Sequence, residues 1–315
     1  MTWTSASMTQ EYIGVDLSKD WLDVCDPAEG REYRVKNTPR SVRAWLGKLR
    51  ADVCVVIEAT SGCDALIMAE AARAGIGLHR VNPGRARFFA LSLGRAKTDR
   101  ADARVLAEMG RAQGLRPQTL GTPARLRLVE LVRRRQQLKD METQEKQHLA
   151  AMTLSDLKAG ARALLASLAR QIAAVEALIA AEIAGDPELS AAHDLLRSAP
   201  GMGPVTTAVL LAHLAELGQL SRREIARLAG LAPEARDSGR WSGQRRIGGG
   251  RRQVRRALYQ AALVIYSHKR VDRPWIEAQL ARGKAPKAVI CAMARRLLCR
   301  LNAMMRTNTP YEVPV

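Results

Sequence analysis

The chain has 315 residues, 47% hydrophobic but only 4% aromatic, and its 50 lysines and arginines against 31 aspartates and glutamates give a formal charge of +19. That length suffices for about two domains with a self-supporting core, and the apolar fraction excludes a disordered chain. The charge excess calls for a polyanionic partner, and because arginine's planar fork grips phosphate through two hydrogen bonds, nucleic acid is favoured over a membrane surface.

Five cysteines (Cys25, Cys54, Cys63, Cys291 and Cys299) form no CxxC pair, are odd in number, and stand in no zinc-type spacing with histidine. The N-terminal residues lack the charged start and apolar run of a signal peptide, and no run of about twenty uncharged apolar residues appears. The expectation is a cytoplasmic protein without a membrane span.

In chain order, YIGVDLSKDWLDVCD reads as strand, turn and strand, and REYRVKN as a third strand. SVRAWLGKLRA has helical apolar spacing with Ser41 as its expected cap. DVCVVIEAT is continuous enough in apolar residues for a buried central strand, followed by a helix over 63–74 and a short strand in GLHRVNP. A mixed α/β sheet results, and the absence of a glycine-rich loop after the first strand argues against a dinucleotide-binding fold. Beyond Thr98 strand signals almost vanish. KTDRADARVLAEMGRAQ is helical, and Pro117 and Pro123 bracket a loop. Two long helices follow, RLRLVELVRRRQQLKDMETQEKQHLAAM and LKAGARALLASLARQIAAVEALIAAEI, which pair as a coiled-coil hairpin or as part of an ordinary bundle. From about 190 onward the chain is helical with glycine-rich breaks, and LRSAPGMGPVTTAVLLAHL suits either a helix-hairpin-helix element facing phosphate or a simple packing corner.

Four acids stand out by position. Asp16 lies within the first strand, Glu58 ends the most apolar one, and Asp99 and Asp102 are spaced i, i+3 at a helix start, so they share a face. If the strands of Asp16 and Glu58 are neighbours, the four can converge on Mg2+ or Mn2+, the hard cations that oxygen ligands select and that phosphodiester chemistry uses. The plainer reading is that Asp99 and Asp102 favour the helix dipole and Glu58 caps the next helix.

A second unusual stretch is RDSGRWSGQRRIGGGRRQVRRALYQAA. Arg240, Arg245, Arg246, Arg251, Arg252, Arg255 and Arg256 surround the Gly248–Gly250 loop as a phosphate-binding surface. Ser238 and Ser242 lie among them. A serine flanked by guanidinium groups can attack phosphorus, although most serines in such loops form turns.

Taken together, GVDLSKD, VVIEATSG, KTDRADA, APGMGPVTTAVLLAHL, IARLAGLAP, RDSG and RRIGGGRRQVRRALYQAAL occur in an order that resembles the IS110/IS1111 class of insertion-sequence transposases. The resemblance implies an N-terminal RuvC-like, RNase H-type domain over 8–118 whose DEDD carboxylates are Asp16, Glu58, Asp99 and Asp102. It further implies a helical coiled-coil spacer over 119–188 and a mostly helical C-terminal transposase domain over 189–315, with Ser238 as nucleophile and Ser242 as fallback. It also implies RNA-guided recombination of DNA, a structured guide RNA and a dimeric or tetrameric homo-oligomer. Two departures are a start with nothing recognisable before Met8 and the IGGGRR loop in place of a lysine-glycine-asparagine step.

Overall fold

The computed structural model describes residues 10–59, 63–94, 99–118, 121–234, 237–238, 241–242, 246–268 and 272–312. The chain divides into two compact units, 1–123 and 124–315.

In the first unit, β1 (Glu11–Leu17), β2 (Trp21–Asp26) and β3 (Arg31–Lys36) form an antiparallel meander. After α1 (Pro39–Leu46), β4 (Val53–Glu58) adds parallel to β1; after α2 (Ala65–Ala74), β5 (Gly77–Val81) adds parallel to β4. The sheet order is β3-β2-β1-β4-β5, the mixed sheet expected of an RNase H-type domain. Period-two alternation sends Ile13, Val15, Leu17, Val55, Ile57 and Leu78 to one face, where Val42, Trp45 and Leu46 of α1 and Ile67 and Ala71 of α2 cover them. The opposite face sends Cys54 and Val56 against Leu106 and Met109 of α4 (Asp99–Gln113) and Ala86 of α3 (Pro83–Ser92). Both faces of β4 are therefore covered, which explains its unbroken apolar run. One expected cap is corrected: Thr38, three residues earlier than Ser41, accepts the Ser41 N–H at the start of α1, because Pro39 takes the first helical position.

The second unit begins with α5 (Pro123–Ala151) and α6 (Ser155–Gly185), paired antiparallel through Arg127–Glu182 and Arg135–Glu176 ion pairs and a small core of Leu138, Leu168 and Ile172. By length and composition α6 could cross a membrane, but these ion pairs and buried residues hold it against α5. Leu128, Val132, Ile179 and Ile183 at the hairpin's base belong to one core with α7 (Pro187–Arg197), α8 (Pro204–His213), α9 (Arg222–Leu228), α10 (Arg252–His268), α11 (Arg273–Ala281) and α12 (Pro286–Thr307). Between α9 and α10 lie β6 (Pro233–Glu234), β7 (Asp237–Ser238), β8 (Trp241–Ser242) and β9 (Arg246–Ile247). β6 pairs with β9 and β7 with β8, a nested antiparallel arm in a stretch that carries no strand signal. Two-residue strands are too short for alternation to register.

Candidate functional site

The acidic edge is built by β1, β4 and α4. Val15 lies opposite Ile57 in parallel register, so Asp16 and Glu58, one step further on, emerge level at the C-terminal edge of the sheet. Asp16 is thus next to last in its strand rather than in the middle. Ile13, Val15 and Leu17 face the other core, so alternation puts Gly14 and Asp16 on the side covered by α4, together with Cys54, Val56 and Glu58.

Gly14 sets how close the helix comes. A Cβ at that position would overlap the Ala103 carbonyl oxygen and the Ala107 amide, so backbone rests on backbone where α4 crosses β1. Asp102 immediately precedes the residue over Gly14, and Asp16 is two residues along the strand. Arg104 Nε donates to Glu32 of β3 at 3.0 Å and fixes the rotation of α4 over the sheet. The side chains of Asp16, Glu58 and Asp102 are half-buried, and Asp16 Oδ1 accepts the Leu17 N–H at 3.0 Å. The side chain of Asp99, like Thr98, lies outside the described residues. Among the described residues, no three histidine, cysteine or acidic side chains are grouped closely enough to hold a metal ion. The donor set itself is all carboxylate oxygen, which suits Mg2+ or Mn2+ and not a softer metal.

Asp64 carries no sequence signal, yet it is buried and accepts from Arg80 Nε of β5 at 2.6 Å. With the Ala59 amide donating to the Val81 carbonyl at 2.9 Å, this fixes the chain as it leaves β4 just past Glu58.

The serine lies on the β-arm. Ser238 is paired with Trp241, and Ser242 with Asp237, so both stand near the tip of the inner hairpin. The base of the arm is clasped. Gly230 and Gly250, both at left-handed φ (+67° and +58°), touch so closely that a Cβ on either would overlap backbone of the other loop. The Arg251 amide donates to Leu228 O at 2.8 Å. The side chain of Arg251 grips Glu216 at 2.5 and 2.6 Å and donates to His213 O, while Arg255 donates to Gly249 O. Burial pushes the Glu216 carboxyl up, but the Arg251 hydrogen bonds and charge outweigh it and hold it below the usual carboxylate value.

Arg251 and Arg255 thus have an internal use the arginine block did not announce, and the glycines serve a close crossing. Arg252 and Arg256 are exposed on the first turns of α10, Arg256 3.6 Å from Asp140. Arg246 has its backbone in β9, while Arg240 and Arg245 lie outside the described residues. The PGMG turn packs against α10, where a Cβ on Gly201 would meet Ala261 O at 2.7 Å; that is the geometry of a packing corner. A cleft of about 500 Å3 in the second unit, between α5, α6, α7 and α8, has mainly apolar walls and no grouped acids.

The IS110 DEDD transposase family model matches residues 13–157, and that of the transposase IS116/IS110/IS902 family matches residues 193–279, so the acidic edge and the serine arm each fall inside a transposase match. The chain belongs to the IS110 family of transposases. Its relatives include the pilin gene-inverting protein of Moraxella bovis, 26% identical over 97% of this chain and 98% of that protein. The IS110 insertion-element protein of Streptomyces coelicolor is 33% identical over 62% of this chain and 50% of its own length. The IS900 protein of Mycobacterium paratuberculosis is 32% identical over 48% and 40%. This transposase is accordingly a recombinase of an IS110-family insertion element, and membership implies DNA binding and suggests use of a divalent metal.

Proposed function

We propose that the transposase cuts and rejoins DNA with two sites: the carboxylates Asp16, Glu58, Asp99 and Asp102, and the serine Ser238. The observation that carries this is the level exit of Asp16 and Glu58 on one face of the sheet, with the start of α4 laid across β1 at Gly14. The carboxylates would hold Mg2+ or Mn2+, which when bound neutralises their mutual repulsion and stabilises charge developing on phosphodiester oxygens.

At the arm, the Ser238 hydroxyl gives up its proton as its oxygen bonds phosphorus. The deoxyribose oxygen leaves and takes up a proton, and the phosphoserine ester keeps the linkage activated. Attack by the hydroxyl of another strand reverses the step and restores serine, so strands exchange without an external energy source. Arginines around the arm would stabilise the charge in flight. The relatives named for pilin gene inversion support rearrangement by cutting and rejoining.

A structured RNA encoded by the element is the proposed guide, supported only by the +19 charge, which is large enough to cover two nucleic acids. A dimer or tetramer is supported by exposed Leu157, Leu164 and Leu178 on α6, spaced seven and fourteen apart.

The test combines the protein, the DNA ends of its element, the flanking transcript and Mg2+, followed by denaturation and mass spectrometry. A covalent adduct at Ser238 that vanishes in Asp16→Asn is expected. An adduct at Ser242 moves the nucleophile. Metal-dependent nicking without any adduct overturns the serine step and leaves a carboxylate nuclease.

A further inference from the structure

We infer that the outer face of α3 is a stacking surface for unpaired nucleotides of the strand led to the acidic edge; this rests on reading that edge as the place where DNA is cut. Both phenylalanines of the chain are on this helix. Phe89 turns inward with Ala86 against α4, whereas Phe88 is 74% exposed, the most exposed of the large apolar side chains described. Leu91, 60% exposed, follows Phe88 by three residues and Arg87 by four, so Arg87, Phe88 and Leu91 share one outward face.

The helix is held firmly rather than left to adapt. Asn82 caps it by accepting from the Gly84 N–H at 2.9 Å, Pro83 fills its first position, and Arg85 donates to Gln113 of α4 at 2.8 Å. It also starts at the right place. Val81 is paired with Glu58 in the sheet, and Asn82 is the next residue, so α3 leaves from the edge where Glu58 emerges.

Charge selects the occupant. Of the six basic side chains in residues 71–98, where no acidic one occurs, Arg73 and Arg80 are ion-paired with Glu70 and Asp64, whereas Arg87 stands exposed on the outward face beside Phe88, where it repels a basic partner and draws phosphate. Phosphate alone would need only the arginines. A bare phenyl ring beside them gains from a base whose face is open, which a closed duplex does not offer and an unpaired strand does.

The test measures binding of short fluorescent oligonucleotides to the full-length protein by anisotropy, using single-stranded DNA, single-stranded RNA and a blunt duplex. Phe88→Ala should weaken single-strand binding roughly ten-fold, with duplex affinity and melting temperature unchanged because the ring is exposed. Phe88→Trp should restore the affinity, and its added emission should be quenched by the strand. Loss on DNA assigns the surface to the DNA strand; loss on RNA alone assigns it to the transcript. No loss, an equal loss on duplex, or a drop in solution mass with nucleotide binding intact overturns the inference. Nicking that survives Asp16→Asn would overturn the acidic-edge reading and leave the binding result standing.

Discussion

Gly14 shows how much of this transposase depends on a side chain that is absent. Asp16 and Glu58 need only two parallel strands in register, but the position of Asp102, next to Ala103, depends on a helix backbone in contact with a strand backbone. Gly14→Val should therefore lift α4 off β1, cost about 1–3 kcal/mol as an overpacked core, and abolish metal-dependent nicking. Denaturant unfolding and a nicking assay measured together check this. Gly14→Val nicking at the wild-type rate would mean that the approach of α4 does not matter to the acids. Asp64 works at the same scale from the other side of Glu58, where its ion pair with Arg80 secures the start of α2.

Among elements, the arm between α9 and α10 depends on its clasp. Gly230 and Gly250 meet at its base, and Arg251 ties the start of α10 to Glu216. The Glu216 carboxyl is raised by burial and lowered more strongly by Arg251, so its value in the folded protein lies below its unfolded one. A lowered carboxylate contributes stability that is full above the unfolded value and is lost as pH falls through the folded value. The stability gap between wild type and Glu216→Gln should thus be constant near neutrality and narrow only below about pH 4.3. Thermal melts at a series of pH values measure it, and a gap that persists undiminished into strong acid would rule out the pair as its source.

These elements also show what could be read in advance. The first four strands and the long helices were legible because they run for six residues or more, and the ordered acids followed from them. α3 was not legible, since it carries large apolar residues on both its buried and its outward face and so has no helical stripe. The two-residue strands of the arm were not legible because a ladder that short leaves no pattern. The arginine block could not be divided by inspection either: Arg251 and Arg252 are neighbours in sequence, yet one is turned inward and the other is exposed.

At the scale of the whole molecule, a charge of +19 makes nucleic-acid binding a salt-dependent equilibrium, with each phosphate contact releasing condensed counterions. The internal ties then separate two kinds of arginine by experiment. Arg252→Ala should lower the slope of log affinity against log salt by about 1, with little change in melting temperature, because that side chain is exposed on α10. Arg251→Ala should do the reverse, lowering the melting temperature while leaving the slope near the wild-type value, because its guanidinium is committed to Glu216 and His213 O. Salt titrations of duplex binding beside thermal melts of both variants decide it. If Arg251→Ala instead flattened the slope without touching stability, the clasp would open on DNA and its arginine would turn to phosphate.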